Sequence, residues 1–255
     1  MQVVGNVIEI GRLSVSRIEC APMQMSPVSV LGNAHVAHTH RHSVGGAIEG
    51  DGEALRAVGT VHQVAVVAVA QESPVRFAFL TDLHYSAGSG SVKDLSRCVK
   101  DVNTLDGLDF VLVGGDLTDF GTDEEIAAVK QMLDSLRYKY YVVAGNHDAK
   151  WSESGCNTFL KVFGYENYEF ECKGWRFIGC NCGPDMRMAP ALIPQESMEW
   201  LKGLRPGKKT IFINHYPQDT SVLNYFDVTR ELKRIGTRFE IGGHWHRNVA
   251  LDYDG

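Results

Sequence analysis

Val75-Arg76-Phe77-Ala78-Phe79-Leu80-Thr81-Asp82-Leu83-His84 joins an apolar run to a polar turn, and the chain repeats that device twice within 70 residues. Phe110-Val111-Leu112-Val113 runs into Gly114-Gly115-Asp116-Leu117-Thr118-Asp119, and Tyr140-Tyr141-Val142-Val143 runs towards Gly145-Asn146-His147-Asp148. Short apolar runs closed by Gly and Asp read as buried strands. Between the first two, residues 92–104 set Val92, Leu95, Val99 and Val102 on one helical face. Between the second and third, residues 122–136 open on Thr122 with Glu125 three residues later, the pattern of a capping box. Strand, helix, strand, helix, strand in this order predicts a parallel sheet with right-handed crossovers. Further strands are expected at 167–172, 175–180, 209–214 and 237–241, with helices at 194–204 and 227–235. The fold class is therefore α/β.

The same turns hold the chemistry. After residue 70 every histidine lies in a short polar motif: His84, His147, His215 in Asn214-His215-Tyr216-Pro217, and the pair in Gly242-Gly243-His244-Trp245-His246. Each motif is expected just past the C-terminal end of a strand, where α/β sheets build ligand sites. One Asp-x-His or Gly-Asp pair means little, and a lone histidine is more often a satisfied core residue or a surface imidazole. Five blocks in order, with 34, 30, 69 and 29 residues separating Asp82, Asp116, Asn146, His215 and His244, defeat that reading. Oxygen and imidazole donors without a thiolate suit Mn, Fe or Zn rather than Ca.

The ordered set D-x-H, G-D-x-x-D, G-N-H-D, H and G-H-x-H resembles the calcineurin-like metallophosphoesterase family over residues 75–250. The resemblance implies a β-sandwich flanked by helices (α/β/β/α) and two divalent or trivalent transition-metal ions. Carried over by motif, it gives Asp82, His84 and His246 to one metal and Asn146, His215 and His244 to the other, with Asp116 as the bridge. Two divalent cations and two aspartates leave a charge of about +2, able to hold a hydroxide and a phosphate together. The implied reaction is hydrolysis of a phosphomonoester or phosphodiester by a metal-activated hydroxide. His147 would stabilise charge or protonate the leaving oxygen, and Asp148 would fix its orientation and favour its protonated form. Asp119 would orient a ligand. Purple acid phosphatases in this family carry a ligating tyrosine in the second block; Asp119 stands there here, which disfavours that subgroup. Tyr85, Asn181, Tyr216 and Trp245 are expected to line the pocket, and Arg187 is open to a role in binding phosphate or in a surface turn. The alternative is a non-catalytic metal-binding scaffold or an inactive truncated product, although scaffolds usually lose ligands and this chain keeps all seven and His147.

Composition bounds the rest. With 255 residues, 44% hydrophobic and 22% charged, the chain can bury one good core. A net charge of −6 argues against general nucleic-acid binding and leaves a small phosphorylated substrate as the expected partner. No apolar run reaches about 18 residues, so no membrane-spanning helix is expected. The sequence is silent on oligomeric state. All 11 Phe, 9 Tyr and 4 Trp lie beyond residue 76, and so does every Lys. Residues 1–70 are therefore read as a weakly structured appendage with a few edge strands, or as a non-native start, before a domain at 71–255 that stops short of further strands. His35, His38, His40 and His42 form a tract read as a solvated loop or adventitious chelate. Val64 to Ala70 mimics the end of a signal peptide about sixty residues too deep, so a cytoplasmic location is the default and export the alternative. The cysteines at 20, 98, 156, 172, 180 and 182 are expected as reduced thiols, with a Cys156–Cys172 bridge permitted only in an oxidising compartment.

Overall fold

The computed structural model describes residues 74–148, 157–182, 190–207 and 209–246, with strand backbone at 4–10, 15–18, 29–32, 46–50, 53–57, 67–68 and 249–252. The first seventy residues contribute β1 (Val4–Ile10), β2 (Val15–Ile18), β3 (Ser29–Gly32), β4 (Gly46–Gly50), β5 (Glu53–Ala57) and β6 (Val67–Ala68). Next come β7 (Val75–Thr81), α1 (Ser91–Thr104), β8 (Phe110–Val113), α2 (Asp123–Leu133), β9 (Tyr140–Val142) and α3 (Asn157–Phe163). The last third adds β10 (Tyr168–Cys172), β11 (Trp175–Gly179), α4 (Gln195–Gly203), β12 (Thr210–Ile213), α5 (Tyr225–Arg234), β13 (Thr237–Gly242) and β14 (Val249–Asp252).

One sheet runs β2-β1-β7-β8-β9 and the other β10-β11-β12-β13-β3-β14, with β4-β5-β6 a separate small sheet. The expected parallel unit is present: β7 pairs with β8 and β8 with β9 in parallel register. In the second sheet β11, β12 and β13 are parallel, and β10 closes an antiparallel hairpin on β11. β1 lies antiparallel along β7, while β3 sits between β13 and β14.

Three apolar layers follow from the two-residue period of the strands. Phe77, Phe79, Phe110 and Val143 of the first sheet meet Phe177, Ile211, Ile213, Phe239 and Ile241 of the second. Burial of each such ring contributes on the order of 1.5–3 kcal/mol. The alternate residues Ala78, Leu80, Val111 and Val113 pack outward on Leu95, Val99 and Val102 of α1 and Val129 and Leu133 of α2. Ile178 and Phe212 do the same against Leu201 of α4 and Val228 and Leu232 of α5. Helix, sheet, sheet, helix is the layering. At its rim Tyr141 stacks on Phe170 with centroids 3.8 Å apart, stitching the short β9 to β10.

Thr122 caps α2 as its sequence predicts, accepting the Glu125 N–H at 3.1 Å. The other half of the capping box differs: Glu125 Oε2 takes the Phe120 N–H at 3.2 Å. α3 has no counterpart in the sequence expectations, being a seven-residue helix held by Phe159 in the outer core.

Glu240, on the buried central strand β13, accepts the Gln218 N–H at 3.0 Å. Burial pushes its carboxyl well above the ordinary 4.5, the Gln218 N–H opposes this, and the charge of Asp219 adds to the rise. A carboxyl raised in the fold contributes stability that is present at low pH and is lost as pH rises through and above 4.5. Glu240→Gln keeps the acceptor and removes that loss. The variant is expected to melt with the parent near pH 4.5 and progressively above it towards pH 7.5; parallel melting curves across that range would mean that Glu240 is ionised in the fold.

Candidate metal centre

Asp82 follows β7, Asp116 follows β8, Asn146 follows β9, His215 follows β12 and His244 follows β13. The C-terminal ends of both parallel runs thus deliver their polar turns to one end of the sandwich. The first two turns are zipped together: the Asp82, His84 and Tyr85 N–H groups donate to Gly115, Asp116 and Leu117 carbonyls at 3.0, 2.9 and 2.9 Å.

The backbone bends sharply to do this. Asp82, His84, Asp116, His244 and His246 all have positive φ, between 44° and 70°, a conformation costly for residues with a Cβ. Among the described non-glycine residues only Lys173 and Lys209 share it without being candidate ligands. Strain of this kind persists where surroundings over-determine it, and here those surroundings are one another. Glycine makes the approach possible at two points. A Cβ on Gly145 would stand 2.2 Å from Asp116 N and Oδ1, and one on Gly243 would stand 2.1 Å from Thr81 Oγ1.

Three trios of candidate donor atoms result. Asp82, His84 and His246 form one, Asp116, His215 and His244 a second, and His84, Asp119 and His147 a third that shares His84 with the first, each with ligand atoms within 4.8 Å of one another. His246 Nε2 lies 3.2 Å from Asp82 Oδ1. Asp116 Oδ2, in the second trio, faces the first, 3.2 Å from His215 Nε2 and 3.8 Å from His84 Nε2. Asn146 Oδ1 reaches His215 Nε2 at 3.2 Å and His244 Nδ1 at 3.1 Å. All seven residues expected as ligands are brought into this one cluster.

The donor set fits cations. His215 Nδ1 contacts the Gly114 carbonyl at 2.8 Å, and because a carbonyl only accepts, Nδ1 carries a proton and Nε2 points inward. His84 Nε2 and His246 Nε2 face each other at 3.3 Å, an approach that needs a shared proton or a cation between two lone pairs. Burial would raise the Asp116 carboxyl, but His215, His147 and His84 hold it well below its usual range. Burial alone would lower His215, yet Asp116 and Asp82 raise it to about 9, so at neutral pH Nε2 holds a proton that a bound cation would displace. Burial presses His84 and His244 down to about 4, which keeps those imidazoles unprotonated and available.

His147 lies beside this cluster, its ring edge-on to His84 with centroids 4.6 Å apart. Its Nδ1 contacts the Asp119 carbonyl oxygen at 2.7 Å, so Nδ1 carries a proton and Nε2 faces Asp116 Oδ2 at 4.0 Å. The Asp119 carboxylate lies 3.6 Å from His84 Nδ1 and 3.9 Å from His147 Nδ1. Asp148 is placed differently from its expected partnership with the His147 ring. Its Oδ2 accepts the Leu117 and Gly145 N–H groups at 2.9 and 3.0 Å, and its Oδ1 accepts the Thr118 N–H and hydroxyl at 3.0 and 3.1 Å. It ties the second turn to the third, while the atoms nearest the His147 ring nitrogen belong to Asp119. Burial, and then the charge of Asp116, push Asp148 up to about 6.

Sequence reasoning overlooked Thr81, whose hydroxyl donates to Asp82 Oδ2 at 2.8 Å and steers that carboxylate; a threonine at a strand end carries no distinctive signal. Of the expected pocket residues, Tyr216 stacks on His244 with centroids 3.9 Å apart. Tyr85 bridges to Thr118, and the Asn181 N–H donates to Asn167 Oδ1 at 2.9 Å. Arg187 and the histidine tract at 35–42 lie outside the described residues, as do Cys20 and Cys156. Cys98, Cys172, Cys180 and Cys182 form no disulfide among the described residues. No described helix is long and apolar enough to cross a membrane.

The family model described as calcineurin-like phosphoesterase matches residues 75–248. A probable glycerophosphodiester phosphodiesterase of Arcobacter nitrofigilis is 40% identical over 151 residues, 53% of this chain and 52% of that protein. A 3′,5′-cyclic-nucleotide phosphodiesterase of Nostoc is 25% identical over 163 residues, covering 58% of each. A probable cyclic nucleotide phosphodiesterase of Vesicomyosocius okutanii is 30% identical over 103 residues, 40% of this chain and 41% of that protein. The chain thus spans about half the length of the curated relatives it matches. A purple acid phosphatase from yellow lupin overlays at a TM-score of 0.37 and 12% identity, covering 86% of this chain and 52% of that one, too loosely to bear on the site.

Proposed function

The chain belongs to the calcineurin-like phosphoesterase family, and on that footing we propose that it hydrolyses phosphodiesters at a dinuclear metal centre. The observation that carries the proposal is that Asp116 joins the His215 and His244 trio to the trio of Asp82, His84 and His246. Asp82, His84 and His246 would hold one cation and Asn146, His215 and His244 the other, with Asp116 shared. Manganese, iron and zinc suit these oxygen and imidazole donors. Two such cations supply a lowered pKa for bound water and an electrostatic clamp on the phosphoryl oxygens.

The protein's own part is orientation and proton supply. Thr81 and the His244 N–H fix the Asp82 carboxylate, and the His147 N–H fixes Asp116 Oδ1 at 2.9 Å. His147, with Nδ1 held by Asp119, keeps Nε2 free to pass a proton to the departing oxygen.

Charge favours the diester. None of the described ligand turns, 81–90, 114–122, 144–148, 214–224 and 242–246, contains a Lys or Arg. Within these described turns the positive charge at the phosphate would be the cations' own, about +2 after Asp82 and Asp116, and a deprotonated attacking oxygen would take one unit of it. What remains matches a diester's single negative charge better than a monoester's two, with Asp119 adding another negative charge beside His147. The names of the relatives point the same way. Metal analysis of the purified chain, with rates on p-nitrophenyl phosphate and its bis-ester, tests this: two metals per chain and faster turnover of the bis-ester are expected. A metal-bound chain inactive on both would favour the scaffold reading.

The family match and all seven ligands lie after residue 74, so residues 1–70 are proposed to be dispensable for chemistry. A chain beginning at Gln71 is expected to keep both metals and its turnover. Removing β1 and β3 strips neighbours from β7 and β13, so the cost should appear as a lower melting temperature. Failure of the shortened chain to fold would make those strands part of the domain.

A further inference from the structure

Four large apolar side chains stand exposed among the described residues: Phe120, Leu160, Leu223 and Phe226. Leu160 lies on α3, Leu223 closes the long turn that begins at His215, and Phe226 stands in the first turn of α5. Phe120 is different. It follows directly on Asp119, whose carbonyl oxygen takes the His147 Nδ1 proton at 2.7 Å, and its own side chain is 55% exposed. Its turn is firmly held. The Phe120 N–H donates to Glu125 Oε2 at 3.2 Å, the Gly121 N–H donates to Thr118 Oγ1 at 3.0 Å, and Thr118 is bound in turn to Asp148. Glu125 is buried, with 6% exposure, so a buried carboxylate diverted from its capping box braces the turn that displays a solvated ring. A single exposed apolar residue is ordinary. One braced by buried carboxylates, one residue from the group that holds the proton donor, has the preorganisation of a binding element.

We infer that Phe120 is a stacking platform for a flat aromatic or heteroaromatic group on the ester, a nucleobase being the natural example. The inference rests on the phosphodiesterase reading of the same site. The described ligand turns offer no Lys or Arg to the part of the ester beyond the phosphate, whereas a phenyl face accepts any base without needing hydrogen-bond register. The platform sets which diesters are used well and leaves the chemistry at the metals to the ligand set and His147.

The test uses the full, metal-loaded chain. Specificity constants are measured on two aromatic diesters, bis(p-nitrophenyl) phosphate and cyclic AMP, and on the alkyl diester glycerophosphoethanolamine. Phe120→Ala is expected to lower the aromatic-to-alkyl ratio about tenfold or more, mainly through KM, and Phe120→Trp to restore it. A ratio unchanged in Phe120→Ala overturns the platform, as does failure of the tryptophan to restore it. Calorimetric binding of AMP against ribose 5-phosphate supplies a readout without turnover. A parent that prefers AMP and loses the preference in Phe120→Ala supports the platform; a parent with no preference overturns it. If the preference is present but no diester is hydrolysed, the diesterase reading fails and the platform stands.

Discussion

Asp116→Ala is expected to lose bound metal and activity together. The carboxylate belongs to one of the two trios assigned to the metals and faces the other, 3.2 Å from His215 Nε2 and 3.8 Å from His84 Nε2. It is already ionised in the fold, since the facing histidines outweigh its burial. Its loss therefore removes one of two negative charges from a site that must neutralise about four positive ones. It also frees the His147 N–H, which donates to Asp116 Oδ1 at 2.9 Å, and so loosens the turn carrying His147. Changing the outer partners of metal ligands commonly costs about 10–100-fold in affinity or activity, and removing the shared ligand itself should exceed that. Elemental analysis after dialysis, beside turnover of the bis-ester, reads both losses. Two retained metals in the alanine variant would show that the trios hold their ions independently and that the bridge is wrongly assigned.

The legible and illegible parts of the site divide along a physical line. Local signals were sufficient for the strand runs, for α1 and for the Thr122 cap, because periodicity and capping act over a few residues. Convergence of five turns from two sheets is non-local; only the ordered resemblance to a family implied it, and the structure supplies the distances. Asp148 shows the limit of adjacency. Sequence neighbours in a tight turn point apart, and four donors from Leu117, Thr118 and Gly145 were waiting for an acceptor, so the carboxylate serves the loop rather than the ring beside it. Glu125 failed as the second half of a capping box for a similar reason: the Phe120 N–H was the donor that needed it. The positive φ of Asp82, His84, Asp116, His244 and His246 was likewise invisible, since only glycine announces that conformation. β1 and β3 add to the sheets through long-range pairing, which a segment without aromatics or sustained period does not advertise.

His147→Ala is expected to separate metal binding from catalysis. The ring stands outside the two trios assigned to the metals, although it groups with His84 and Asp119, and its Nδ1 is occupied by the Asp119 carbonyl at 2.7 Å. Nε2 lies 4.0 Å from Asp116 Oδ2, close enough to face a phosphate held there. Metal content should stay near that of the parent. Turnover should fall by about 10²–10⁴-fold, the usual contribution of a positioned acid. The deficit should depend on the leaving group: p-nitrophenolate departs with little need of a proton, whereas an alkoxide from an alkyl ester needs one, so alkyl diesters should lose most. Asp119 gives the companion result. Asp119→Asn keeps the backbone carbonyl that holds Nδ1 but removes the carboxylate 3.9 Å away, so it should fall short of the full loss while showing the same leaving-group bias. If His147→Ala strips the metals, the imidazole is a ligand. If it slows p-nitrophenyl and alkyl esters equally, its role is charge stabilisation at the phosphate, and the proton comes from elsewhere.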